Sequence, residues 1–229
     1  MSDELIEELA LANSGTVPSP FGKAEFEVLG SPASVQSKKA VREEYINAIR
    51  EQLKEKKYLL TGDLILNVTW LLPAKNRYET DAKVDIDNCL KPIIDAFTGP
   101  DGFFIDDCQL RGLYICWRNI ESDNERLHFE FEFQADQYSL KEELAFIQLD
   151  GALCTPVNLN WPSAAKILWA GMLKTNQTSK NILEKLGVSY PEVAGFLGGG
   201  QPFHRTRVNN FKLLSLSEFA CLGATSEKV

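Results

Sequence analysis

The stretch VDIDNCLKPIIDAFTGPDGFFIDDCQL, residues 84–110, decides how the chain is read. Leu90, Ile93, Ile94 and Phe97 recur at the spacing of one helical face, so residues 86–97 read as a helix. Thr98-Gly99-Pro100-Asp101-Gly102 ends it. β-type runs lie on both sides. Upstream, DLILNVTWLLP (63–73) is closed by a proline, and the polar AKNRYETDAKVD (74–85) reads as the loop joining it to the helix. Downstream come LRGLYICWRN (110–119) and RLHFEFEFQAD (126–136), the second with Leu127, Phe129, Phe131 and Phe133 alternating onto one face. Further out, KAEFEVLG (23–30) reads as a strand. SKKAVREEYINAIREQLKEKK (37–57) reads as an amphipathic helix, with apolar residues at 41, 45, 46, 49 and 53. The order strand, helix, strand, helix, strand, strand predicts a small α/β domain with a mixed sheet over residues 21–137. Residues 1–20, ending in TVPSP, are expected to be a flexible lead-in, and residues 138–229 a mainly helical C-terminal region.

The 229 residues are 44% hydrophobic and include four Trp and thirteen Phe, enough for a sizeable core. No apolar run approaches the length of a membrane span, and the acidic start MSDELIEELA lacks a signal-peptide layout. The five cysteines (89, 108, 116, 154 and 221) are scattered without a CxxC. Reduced thiols in a cytoplasmic protein are therefore expected, with neither disulfide framework nor zinc site and no membrane association. The net charge of −8 disfavours nucleic-acid binding by general attraction. It is unevenly spread: residues 1–140 carry 15 Lys and Arg against 25 Asp and Glu, residues 141–229 carry 9 against 7. Carboxylates that bind cations reverse the local field, so the bulk charge does not exclude a DNA substrate.

Asp85, Asp87, Asp95, Asp106 and Asp107 lie within 23 positions, with Lys91 among them. Asp87, Lys91 and Asp95 have helical spacing, but Pro92 is comfortable only in a first turn, which puts Asp85 and Asp87 in the loop or first turn. Phosphodiester hydrolysis uses such a set. Mg²⁺ takes hard oxygen ligands, keeps several waters, and lowers the pKa of an attacking water. A lysine beside it can stabilise developing charge. The plain alternative stays open: aspartates at helix starts commonly cap them, and Asp-Asp before a strand commonly makes a turn.

Asp-Ile-Asp-Asn-Cys-Leu-Lys-Pro-Ile-Ile-Asp-Ala-Phe, followed by Phe-Phe-Ile-Asp-Asp-Cys-Gln, resembles the signature of the RusA family of Holliday junction resolvases: D-x-D-N-x-x-K-x-x-x-D-A, a short glycine-containing turn, then D-D-x-Q. With the flanking elements the likeness covers about residues 23–135. It implies a RusA-like fold and a homodimer that binds four-way DNA junctions and nicks opposed strands with Mg²⁺, for which Mn²⁺ can substitute. By position, Asp85, Asp87 and Asp107 correspond to the family's catalytic, metal-binding carboxylates and Lys91 to its essential lysine. Asn88, Asp95, Asp106 and Gln109 match supporting positions. Val84 and Cys89 depart from the usual residues, and the stretch after Gly30 lacks an arginine-rich character, leaving Lys38, Lys39 and Arg42 as the nearest basic residues for DNA contact.

In the C-terminal region SAAKILWAGML reads as a helix. SKNILEKLGVSYPEVAGFLGGG (179–200) fits part of a helix-turn-helix template through Ile182, Leu186, Val188, Val193 and Phe196, with Gly187 at the turn, although Leu183 stands where a small residue is usual. His204, Arg205, Arg207 and Lys212 follow and could meet phosphates. An ordinary helical hairpin is the alternative. Leu197-Gly198-Gly199-Gly200 is not a phosphate loop, since no GK[ST] follows, so no nucleotide cofactor is expected. His128 and His204 make no catalytic pair. Two rival functions are a nuclease acting on flaps or forks, and a junction-binding protein that does not cut. The intact set of Asp85, Asp87, Lys91 and Asp107 speaks against the second.

Overall fold

The computed structural model of the chain describes residues 3–79, 86–196 and 202–224, in two compact units, Met1–Lys141 and Glu142–Val229. Among the described residues no helix is long and apolar enough to cross a membrane.

The first unit contains α1 (Asp3–Asn13), β1 (Lys23–Leu29), α2 (Lys39–Leu53), β2 (Tyr58–Leu60), β3 (Leu64–Pro73), α3 (Ala74–Glu79), α4 (Leu90–Phe97), β4 (Leu110–Ile120), β5 (Arg126–Phe133) and β6 (Tyr138–Leu140). Its four-stranded sheet has the order β1-β5-β3-β4. β5 runs antiparallel to both neighbours, while β3 and β4 are parallel. A parallel pair needs a crossover, and the chain between Pro73 and Leu110, α4 included, supplies it. Period-two alternation turns Phe26, Val28, Leu66, Val68, Trp70, Leu127, Phe129 and Phe131 to one face, against Tyr45, Ile49 and Leu53 of α2 and Ile93, Ala96 and Phe97 of α4. Phe97 meets Phe129 and Phe131 edge-on, at 5.1 and 4.9 Å between ring centroids. Each such fully buried side chain is worth about 1.5–3 kcal/mol. On the other face Arg126 pairs with Glu27 at 3.2 Å and Lys23 with Glu130 at 3.6 Å.

Three readings change in this unit. The polar stretch after Pro73 opens as a helix, α3: AKNRYE consists largely of good helix formers but is polar all round, so it shows no amphipathic period. Residues 3–13 of the presumed lead-in form α1. The 37–57 helix stops at Leu53, and Tyr58–Leu60 pairs antiparallel with Tyr138–Leu140, which ties residues 138–140 to this unit.

The second unit contains β7 (Leu144–Gln148), β8 (Leu153–Asn158), α5 (Ser163–Lys185), α6 (Tyr190–Val193), β9 (Phe203–His204), β10 (Leu213–Leu214) and α7 (Leu216–Ala224). It is helical in the main, yet holds a sheet of order β10-β7-β8-β9 that the sequence reading did not assign. Ala145, Ile147, Leu149, Val157, Ala170, Leu173 and Phe219 form its core. The residues matched to a helix-turn-helix are arranged otherwise. α5 runs unbroken through residues 179–185, and the second limb is α6, four residues long, with a 3-10 turn over Ala194–Phe196. Ile182 and Leu186, which the template buries, are 53% and 75% exposed; Val193 is buried. Residues 197–200, including the glycine run, lie outside the described residues.

Candidate active site

Ile86–Cys89 forms a turn ahead of α4, closed by Leu90 N–H donating to the Asp87 carbonyl (3.3 Å). The helix therefore starts three residues after Asp87, and Pro92 falls in its first turn, where a missing N–H leaves no bond unmade. Asp87 is exposed on this turn. Cys89 anchors it from beneath: the buried thiol donates to the Ile86 carbonyl at 2.9 Å, and burial pushes its pKa up to about 11. Asp85 lies outside the described residues.

The loop after β1 is stitched to the same turn. Val35 N–H donates to the Asn88 carbonyl (2.9 Å), and Arg42 Nη1 donates to the Val35 carbonyl (3.2 Å). Lys38 and Lys39, at the start of α2, follow directly. Lys39 also pairs with Glu43 at 3.5 Å. Arg42 is thus linked to the Asp87–Asn88 turn through Val35, with Lys38 and Lys39 next along the chain, a relation that forty-odd residues of sequence separation hide.

Lys91 Nζ bonds Asp95 Oδ1 at 3.1 Å, one helical turn on. Both side chains are exposed, and exposed i,i+4 pairs are worth only about 0.3–0.5 kcal/mol. The ammonium can leave Asp95 for a phosphate with little loss.

Asp106 and Gln109 have structural work. Asp106 caps the 3-10 turn Asp107–Gln109, its Oδ1 accepting from Cys108 N–H at 3.1 Å. Gln109 is fully buried: Oε1 accepts from Ile105 and Asp106 N–H (2.8 and 3.0 Å), and Nε2 donates to the Leu60 and Gly62 carbonyls (3.0 and 2.8 Å). The pair pins exposed Asp107 to the corner ahead of β3. Gly102 lets this return path close, because a Cβ there would collide with the Phe97 carbonyl. Asp87 and Asp107 thus flank α4, one ahead of its first turn and the other beyond its C-terminal end. Among the described residues no three His, Cys, Asp or Glu side chains converge as a ready metal site. Arg205 and Arg207 belong to the second unit, in the segment after β9.

Residues 18–130 match the family model described as Endodeoxyribonuclease RusA. This domain belongs to the RusA family. RusA proteins are endodeoxyribonucleases that resolve Holliday junctions, act on branched DNA and are generally metal-dependent. A search of the curated proteins finds no match. The matched span covers the sheet, α2, α3 and α4, and ends inside β5. The donor chemistry of the RusA domain suits a hard divalent ion: the exposed candidates are carboxylates, whereas the neighbouring thiol of Cys89 is buried and held protonated.

The sequence reading missed a stack at the end of β3 and β4. Trp70 and Trp117, paired across the two strands, are parallel at 5.1 Å and 16°, and the Arg77 guanidinium lies 4.7 Å above Trp117 and 5.4 Å from the ring of Tyr78. The Arg-Tyr dipeptide in a stretch taken for a loop was the available signal.

Proposed function

We propose that the chain resolves four-way DNA junctions as a Mg²⁺-dependent homodimer, with Asp85, Asp87 and Asp107 holding the metal and Lys91 acting beside them. One observation supports it above the rest: the turn bearing Asp87 is bonded through Asn88 to Val35, in the loop that leads into α2, Arg42 of α2 bonds the same Val35, and Lys91 stands one turn beyond Asp87. Carboxylates for a cation and a cluster of ammonium and guanidinium groups for a phosphate are what hydrolysis of a DNA strand requires.

Bound Mg²⁺ would supply Lewis acidity and a water of lowered pKa. The protein's residues do the rest. Lys38, Lys39 and Arg42 grip the DNA backbone on the approach to the turn. Asp85, Asp87 and Asp107 offer oxygen ligands. Lys91 swings from Asp95 to the scissile phosphate and balances the charge that develops on it and on the leaving oxygen. Gln109 and Asp106 keep Asp107 from drifting. A dimer would set two such sites in two-fold relation, matching the symmetry of a junction and nicking opposed strands.

The test is cleavage of a synthetic four-way junction with Mg²⁺, comparing wild type with Asp87→Asn and using linear duplex as control. Paired nicks that need Mg²⁺, spare duplex and vanish in the variant are expected. A wild type that binds the junction but cuts nothing in Mg²⁺ or Mn²⁺ overturns the catalytic reading; preferential cutting of flaps or forks overturns the junction assignment alone.

A further inference from the structure

We propose that Tyr78 and Arg77 form a stacking platform for an unpaired base at the branch point of the DNA. The proposal rests on the junction-resolving reading and assigns a second contact to it. Four groups make one column that runs from core to surface. Trp70 is buried at its base, with Nε1 donating to Glu125 at 2.9 Å. Trp117 lies parallel upon it, Arg77 covers Trp117, and Tyr78, 65% exposed, ends the column.

A guanidinium normally seeks a carboxylate, yet none of the ion pairs among the described residues includes Arg77. It lies instead within cation–π distance of two rings, Trp117 at 4.7 Å and Tyr78 at 5.4 Å. An exposed aromatic face beside a cation is the chemistry that recognises a nucleotide: every base has a π-face to stack, and the phosphate next to it meets the cation.

The position fits that occupant. Leu71 is in register with Arg118 and with Arg126, and Leu29 with Arg126, so the ends of β1, β3 and β4 share one edge of the sheet. α3 leaves from β3 there, and from β1 the loop bonded to the Asp87 turn leaves the same edge. β1 and β4 are three strand spacings apart, about 14 Å, or roughly four base steps along a strand. Lys75 and Arg118 add cations at this edge; Glu121, Asp123 and Glu125 of the following hairpin oppose them, Glu125 being engaged by Trp70. In a duplex every base is already stacked, so only a branched or opened DNA can offer a base to Tyr78.

The experiment measures binding of the full chain to a four-way junction and to linear duplex of equal length, in EDTA and in Ca²⁺, for wild type and for Tyr78→Ala, Tyr78→Leu, Tyr78→Phe and Tyr78→Trp. Stacking predicts that Ala and Leu lose roughly 5- to 150-fold in junction affinity while duplex binding holds, and that Phe and Trp stay within about twofold of wild type. Arg77→Gln should lower the slope of log affinity against log salt by about one. The platform is refuted if Leu binds as wild type does, if junction and duplex affinity fall together, or if no variant changes. Cleavage by the wild type, run alongside, separates the two readings: a wild type that cuts while Tyr78→Ala binds normally refutes the platform alone, whereas one that neither binds nor cuts branched DNA removes the reading beneath it.

Discussion

Replacing Gln109 by leucine should unfold the corner that carries Asp107. The substitution keeps the side chain's bulk and removes four hydrogen bonds, so packing changes little and the loss is polar. Two N–H donors, of Ile105 and Asp106, lose their acceptor, and the Leu60 and Gly62 carbonyls lose their donor. Three of these bonds are buried and the one to Gly62 is partly so, leaving a route for water at that carbonyl alone. At about 1–3 kcal/mol for each buried group left unsatisfied, three groups imply a loss of about 3 kcal/mol at least, rising toward about 9 kcal/mol if the corner cannot relax. The assay is amide hydrogen exchange by mass spectrometry on a peptide spanning residues 103–110. Loss of 3 kcal/mol from the local opening free energy accelerates exchange of Ile105 and Asp106 by about 150-fold. Junction cleavage should fall in step, because Asp107 follows the same turn. Gln109→Glu keeps the acceptor but turns a carboxylate toward two carbonyl oxygens. Its pKa would rise on folding, so that variant should lose further stability as pH climbs through the ordinary glutamate range, where the unfolded chain ionises first. Exchange rates within about threefold of wild type for Gln109→Leu would refute the argument.

Three further outcomes can be checked. Lys91→Met should leave the melting temperature within a degree or two, since the Lys91–Asp95 pair is exposed, and should lower single-turnover cleavage by about 10²–10³-fold, read by quenched-flow assay. Gly99 stands at φ +90° just past α4, so Gly99→Ala should destabilise by about 1–2 kcal/mol in urea titration, while Gly102→Ala, which must displace the Phe97 carbonyl, should cost more. Glu218 accepts from the backbone N–H and hydroxyl of Ser215, which hold its carboxyl below the usual range. A depressed carboxyl stabilises above its unfolded value and stops doing so as pH falls through the folded one, so the α7 start should exchange faster below pH 4, a dependence that Glu218→Gln abolishes.

The main elements of the RusA domain were legible because their periods are strong. β5 alternates without a break, β3 closes on a proline, and α2 and α4 repeat apolar residues at helical spacing. What failed was short or evenly polar. β2 has three residues, too few for any period, and α3 has no apolar face. β7 reads Leu-Ala-Phe-Ile, buried throughout, a run that fits strand and buried helix equally. The helix-turn-helix template scored apolar positions on α5 and beyond, yet Ile182 and Leu186 face solvent, since a residue's spacing does not say which side its helix buries.

The sequence by itself supplied the candidate residues: carboxylates and one lysine, ordered as in the RusA signature, with a proline placed where only a first turn accepts it. Which of those residues hold the fold was decided by tertiary structure. Asp106 and Gln109 look in sequence like neighbours of Asp107 and equal candidates, but burial and hydrogen bonds to residues 60–62 make them its support. Likewise Arg42 is linked to the Asp87 turn through the Val35–Asn88 bond, and Arg77 meets Trp117 because β3 and β4 are parallel and in register. Residue type and local period are carried by neighbours along the chain, whereas contacts between segments forty residues apart follow from how the apolar faces close on one another.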